Sequence, residues 1–455
     1  MAENAFSVEH SNDQFGFSLL RFPMKIDSFS KNLERVPAPA FSFYCILAAF
    51  GTYFCMYAFR KPFTAATYEG LSIFGIGLKT ALIAAQVSGY TLSKFLGIKF
   101  VSEMAPTRRA ISIIGLILVA ELALILFAIT PAPWNIVWLF LNGLPLGMIF
   151  GLVLGFLEGR KTSEALAAGL CASFILSSGF VKSVGRILID RYQVDIFWMP
   201  FLTGLIFLLP LLGFVWMLAQ IPPPSPEDIL KRTERQTMDR TARLSFFRKH
   251  APALSILVFI YILLTIARSV RDDFAVEIWR DLGVENTPSI YGISEFWIMI
   301  GVMFACGASV LIANNRVAFL CSIAGLTAGF AITSITLVAQ SADLLSPMLF
   351  MVTLGFGMYL PYAIFHTTVF ERMIAAFAER GNVGYLIYLA DAAGYLGYIA
   401  VLVGKNLYAG QLDYLALLKM SSLAIAVTSM FLSIWLFFHL KGRLFAATSS
   451  PGNEQ

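Results

Sequence analysis

Twelve apolar runs of about 20 residues limit what this chain can fold into. They lie at roughly 40–60, 78–100, 110–130, 134–156, 165–188 and 198–219, then at 251–274, 289–312, 317–338, 347–370, 382–404 and 414–438. A hydrocarbon layer about 30 Å thick takes about 20 helical residues to cross. Lipid offers no partner to a backbone N–H or C=O, so each run must satisfy itself as a helix. A membrane barrel would need shorter segments that alternate apolar and polar residues, and these runs are too long and too uniform. The expected fold class is therefore all-α and membrane-integral, with twelve transmembrane helices. Composition agrees: 58% of the 455 residues are hydrophobic and 13% are charged, against about 45–50% and about 25% in soluble domains. That excludes a soluble enzyme, a disordered chain and a nucleic-acid-binding protein.

The runs divide the chain. Residues 1–37 read as a polar tail with a short amphipathic piece around 15–29, and show no apolar core of signal-peptide type. Residues 38–219 form one six-span half and 251–440 the other. Between them, 220–250 is a linker that opens on Pro222-Pro223-Pro224 and carries seven Lys/Arg; 441–455 is a second tail. With the first residue placed in the cytoplasm, 22 Lys/Arg fall on the cytoplasmic side, 5 on the outer side and 6 within or at the ends of spans. That bias predicts cytoplasmic termini and linker in a plasma (inner) membrane, so the net charge of +5 records orientation. The five cysteines sit in apolar runs, without metal-ligand or disulfide spacing, and read as small apolar fillers. No cofactor is implied. The expected partners are the bilayer and a small anion, and the expected state is a monomer.

The halves repeat weakly. Tyr53 precedes Arg60 by seven positions, as Tyr261 precedes Arg268; Gly147-Met148 recurs as Gly357-Met358, and Gly169 and Gly179 recur as Gly384 and Gly394. Two parallel six-helix halves around a central cavity are the architecture of major facilitator transporters. Gly143, Gly147, Gly151, Gly155 and Gly159 recur every four residues in span 4, a stripe that admits close helix packing.

An ionisable group at the bilayer centre costs about 2.5–3.5 kcal/mol on insertion scales, so the charges inside spans need partners or a function. Snorkelling at a helix end accounts for Arg186 and Lys61. Arg60 and Arg268 hold equivalent repeat positions and are expected to converge between the halves, where their planar forks suit phosphate or carboxylate oxygens. Arg271 shares a face with Arg268 and is expected to be neutralised by Asp272 and Asp273. Depth matches Glu295 with Lys182 near one mouth and Asp391 with Lys94 near the other, as gates or as permanent salt bridges. Glu121 has no evident partner and is either protonated or a proton-coupling site. Tyr388, Asp391, Tyr395 and Tyr398 share a helical face. His366 reads as an isolated, satisfied histidine.

Three segments carry a family resemblance. Tyr57-Ala-Phe-Arg60-Lys61-Pro62-Phe63 resembles the Tyr-x-x-Arg-Lys-x-Phe of organophosphate:phosphate antiporters, a family of the major facilitator superfamily. Tyr90-Thr-Leu-Ser93-Lys94-Phe95 is similar to that family's Tyr-x-x-Ser-Lys-Phe, and Asn142-Gly143 with Gly147-Met148 to its Asn-Gly-x-x-x-Gly-Met. The resemblance implies that Arg60 and Lys94 bind the substrate phosphate. Arg268 joins them by repeat position, one turn later than the family's span 7 arginine. The superfamily's 2–3 loop is altered here, with Lys99, Glu103 and Met104 at its key positions, and Ser173 stands at the family's span 5 histidine. The sequence thus predicts a secondary transporter, not an enzyme, moving a small organic anion by alternating access. Arg60, Arg268, Lys94, Tyr57, Tyr90 and Lys182 are the candidate binding residues. Glu121, Glu295 and Asp391 are the candidates for gating or proton coupling. A proton-coupled symporter or exporter and a transporter-like receptor stay open as alternatives.

Overall fold

A computed structural model describes residues 27–157, 160, 163–224, 240–285, 287–310, 312–377, 383–408 and 413–446. The amphipathic piece expected around 15–29 lies mostly outside the described residues, as do residues 225–239 of the linker. A short helix, Asp27–Glu34, precedes the first span.

Twelve long helices run through the described residues, and each apolar run falls on one. The first half comprises span 1 (Ala38–Met56), span 2 (Leu78–Glu103), span 3 (Arg109–Ile129), span 4 (Ile136–Leu157), span 5 (Ser163–Asp190) and span 6 (Met199–Ala219). The second comprises span 7 (Arg240–Asp273), span 8 (Ile290–Val310), span 9 (Asn315–Ser341), span 10 (Pro347–Ile364, continued by Phe370–Ala376), span 11 (Val383–Tyr408) and span 12 (Tyr414–Ala446). Span 7 starts at Arg240, ten residues inside the stretch read as linker. Eleven of the twelve contain an apolar window long enough to cross a bilayer. The exception, span 2, has 26 residues, or ~39 Å of helix. It is long enough, but Lys79, Gln86, Ser93 and Lys94 interrupt it, and all four are buried in protein. Large apolar side chains such as Phe43, Leu209, Phe304 and Phe438 are exposed on the bundle's flanks, as a lipid-facing surface requires and a soluble one does not tolerate.

The even number of spans in each half returns the chain to one face, here called the linker face; the short loops after spans 1, 3 and 5 lie on the opposite face. One of those loops is a two-residue hairpin, β1 (Ser72–Ile73) with β2 (Ile76–Gly77), turned by Phe74 and Gly75 at positive φ. The halves meet where span 5 packs on span 8 and span 2 on span 11. Of the span 4 stripe, Gly155 faces Arg109 of span 3, and Gly143 and Gly147 turn toward span 2: a Cβ on Gly143 would stand 2.3 Å from the Gln86 carbonyl oxygen. Close backbone packing is therefore what those glycines provide.

Span 1 ends early. Its α-helix stops at Met56 and tightens into the 3₁₀ turn Tyr57–Phe59, and a second turn starts at Pro62, which has no N–H to continue a ladder. The carbonyls this frees are taken by side chains. Gln86 Nε2 donates to the Arg60 carbonyl (2.7 Å) and to Asn142 Oδ1 (2.8 Å). Asn142 Nδ2 donates to the carbonyls of Phe59 and Ala120, both at 3.0 Å. Spans 2, 3 and 4 thereby fix the break, and the break fixes Arg60.

Candidate functional site

Arg60 and Arg268 come together between the halves. Both are buried and line one small cavity with Tyr57, Lys61, Asp273, Tyr395 and Tyr398. The Arg60 guanidinium carbon sits 3.7 Å from the centre of the Tyr90 ring, and that of Arg268 4.3 Å from the Tyr362 ring. Such contacts hold a cation by the ring's negative face and leave the planar fork free. The Nε of each arginine lacks a hydrogen-bond partner, and no carboxylate reaches either guanidinium among the described residues.

The other buried cations of this interface are paired. Lys61 bridges Asp272 (2.9 Å) and Asp273. Lys182 meets Asp272 at 2.5 Å. Lys79 holds Glu277 at 2.7 Å, Arg271 meets Glu295 at 2.8 Å and Lys94 meets Asp391 at 3.0 Å. Each carboxylate is matched, so the charge left over is that of Arg60 and Arg268. Tyr398 donates to Asp273 Oδ2 at 2.9 Å, and Tyr261 donates to Asp391 Oδ1.

Several expectations change. Arg271, Asp272 and Asp273 do not neutralise one another. Successive helical residues point about 100° apart, so Arg271 turns to span 8, Asp272 to spans 1 and 5, and Asp273 to spans 1 and 11. Glu295 and Lys182 were matched by depth, yet Arg271 and Asp272 intercept them. Lys61 does not snorkel; it is buried against two aspartates. Lys79 and Lys94, counted with the loops for sidedness, are interior, one from each side, which leaves the bias in place. Arg186 is partly exposed at the mouth and paired with Asp190 at 2.6 Å. Glu121 is buried between spans 3 and 6 against Gly204, with neither oxygen hydrogen-bonded. His366 is not isolated. Its Nε2 lies 3.6 Å from Asp391 Oδ1, carried there by the π-helical turn Phe365–Val369 of span 10. Sequence reasoning missed Gln86, Tyr362 and the role of Asn142; a polar residue midway along a span was the available signal for the first and third.

Two cavities sit around the arginines. The one already described and a second, lined among others by Tyr53, Tyr90, Lys94, Phe150, His366 and Asp391, each have about 10 Å³ of room for water centres, about one water apiece. The halves are closed over the arginines. On the opposite face a wider cavity of about 240 Å³, bordered by Glu69, Arg186, Asp190, Arg280 and Tyr291, lies between the halves. In the loop helix Ala275–Asp281 beside it, lost solvation, then the hydrogen bond to and charge of Asp413, push the Asp281 carboxyl up to about 6. No group of three or more His, Cys, Asp or Glu among the described residues is arranged to hold a metal ion.

A profile described as a family of unknown function, DUF5690, matches residues 62–443. The chain belongs to that family. The match begins just after Arg60 and runs through both halves. No curated protein matches the chain by sequence. Among solved structures, that of a D-xylose–proton symporter is similar, with a TM-score of 0.58 over 87% of this chain and 96% of the symporter, at 12% identity. The likeness establishes the fold: this DUF5690 member is an all-α membrane protein of major facilitator type, built of two six-helix halves.

Proposed function

We propose that the protein is a secondary transporter that carries a small organic anion through a rocker-switch cycle between its halves. The observation that carries this reading is the pair of buried guanidiniums, one from each half, left unpaired in a network where every neighbouring carboxylate is matched. Two cations held near each other in low dielectric repel. An anion bound between them relieves that repulsion and draws the halves together, so binding energy is coupled to closure. A closed cavity with room for about one water supports the same reading, since a substrate enters only if the halves part. The resemblance of the span 1, 2 and 4 motifs to organophosphate:phosphate antiporters favours a phosphate ester and exchange against phosphate. In this reading Tyr57 and Tyr90 position Arg60, and Lys94 and Lys182 shape the field from either end. Asp391 belongs to the closing contacts, Glu295 holds Arg271 inside the second half, and Glu121 is left without a role at the anion site. The protein would act as a monomer in the plasma (inner) membrane, with the linker face toward the cytoplasm.

The test is a thermal-shift titration of purified protein with inorganic phosphate, small phosphate esters and dicarboxylates, followed by exchange of the labelled anion in proteoliposomes. Anions that stabilise the wild type should lose their effect on Arg60→Ala with Arg268→Ala. Undiminished exchange in that double variant would remove the assigned site.

A further inference from the structure

His366 is a buried titratable group that the anion site leaves unused, and its hydrogen bonds fix what it can do. Its Nδ1 lies 3.0 Å from the Tyr362 carbonyl oxygen. A carbonyl only accepts, so Nδ1 carries the proton and donates it. In a neutral ring Nε2 is then a bare lone pair. That lone pair faces Asp391 Oδ1 at 3.6 Å and the Tyr261 hydroxyl at 3.5 Å. Tyr261 already gives its proton to Asp391, so both neighbours present lone pairs to a third. A proton on Nε2 turns this into an ion pair with Asp391.

Asp391 is also the partner of Lys94, through Oδ2 at 3.0 Å. Lys94 belongs to the first half, and Asp391 and His366 to the second. A charged His366 matches Asp391 within its own half and repels the ammonium across the interface. The remaining titratable groups lining that cavity, Tyr53, Tyr57, Tyr90, Tyr362 and Tyr395, are weak acids, as is Cys171 beside Asp391, and a further cation, Arg268, stands behind Tyr362, 4.3 Å from its ring.

We propose that His366 is a proton-binding site that decides whether Asp391 holds Lys94. With His366 neutral, Lys94–Asp391 latches the halves toward the linker face. With His366 protonated, the latch loosens and Lys94 is released toward the anion bound at Arg60. The proton site itself rests on the hydrogen bonds above; its consequence for flux rests on the transport reading and names a proton as the coupling ion.

Hydrogen exchange of the intact protein without added anion tests the site, following the segments around Lys94 and Asp391 between about pH 5 and about pH 8, corrected for intrinsic rates. Wild-type exchange there should rise as pH falls. His366→Gln should lose the pH response and stay at the protected, high-pH level, and Lys94→Ala should exchange fast at both ends. Asp391→Asn, which cannot form the ion pair, should also lose the response and serves if His366→Gln fails to fold. A pH response retained in either folded variant, or absent from the wild type, overturns the proposal. Because no anion is present, the anion site can fail its own test without deciding this one, and the reverse holds.

Discussion

At the scale of single residues, the choice between arginine and lysine follows the task. Lysines in this bundle (Lys61, Lys79, Lys94 and Lys182) are each matched to a carboxylate, as compact point charges. The two cations left for a ligand are arginines, whose charge is fixed and whose planar fork is held by stacking on Tyr90 and Tyr362. The residue whose titration is easiest to follow lies outside the bilayer. Asp281 in the folded chain titrates near 6, above the value of about 4 expected when unfolded. Between those values the folded state holds more protons than the unfolded one, so this group's contribution to stability falls as pH rises. Above about pH 6 it is a charge repelled by Asp413. Asp281→Asn should therefore melt slightly higher than wild type at pH 7 and no differently near pH 4. The difference should be on the order of 1 °C, because the site is solvent-screened. A wild type that melts higher than Asp281→Asn at pH 7 would show the sign to be wrong.

At the scale of elements, what holds Arg60 is not near its guanidinium. Span 1 breaks at Pro62, Gln86 and Asn142 take the freed carbonyls, and span 4 approaches span 2 across Gly143. Gly143→Leu would put a side chain where the Gln86 carbonyl stands, 2.3 Å away from an added Cβ, and force the spans apart. Lower thermal stability and loss of anion binding are both expected, although no binding residue is changed. Gly115→Leu is the control: nothing lies within 4 Å of a Cβ there, so stability and binding should match wild type. Equal behaviour of the two variants would detach the span 2–span 4 packing from the site.

The same elements show what could be read from sequence. Run length and the absence of lipid partners settle that there are twelve helices, and the repeated Tyr-to-Arg interval of seven placed Arg60 and Arg268 together. Depth along a span was also legible, which is why Lys94 and Asp391 meet. Rotation about the helix axis was not. Arg271, Asp272 and Asp273 are neighbours in sequence and turn to three different partners, and Lys182 and Glu295 share a level yet each finds a nearer mate. His366 looked solitary because the π turn that aims it at Asp391 leaves no mark in apolar periodicity.

For the whole molecule, closing contacts between the halves lie toward both faces. Toward the opposite face the halves are joined by Lys61 with Asp272 and Asp273, Lys182 with Asp272, Lys79 with Glu277 and the exposed Arg280–Glu69 pair. Toward the linker face, Lys94–Asp391 joins them. Asp272 is the node of the first set, since two lysines of the first half converge on one carboxylate of the second. Asp272→Asn leaves Lys61 with Asp273 but leaves Lys182 with Ser178 alone. Removing one partner of a buried pair costs about 3–5 kcal/mol, because the other charge stays buried. Opening toward the opposite face hydrates that charge, so the variant should populate the open form. Ser269 lines the arginine cavity, and a cysteine there reports its accessibility. Ser269→Cys should react slowly with a membrane-impermeant maleimide in the parent and about tenfold or more faster with Asp272→Asn. The parent carries Cys321→Ser, because Cys321 is exposed, and the control is that parent without Ser269→Cys, whose Cys45, Cys55, Cys171 and Cys306 are buried. Unchanged reactivity would mean that the aspartate only neutralises lysines and does not hold the halves closed.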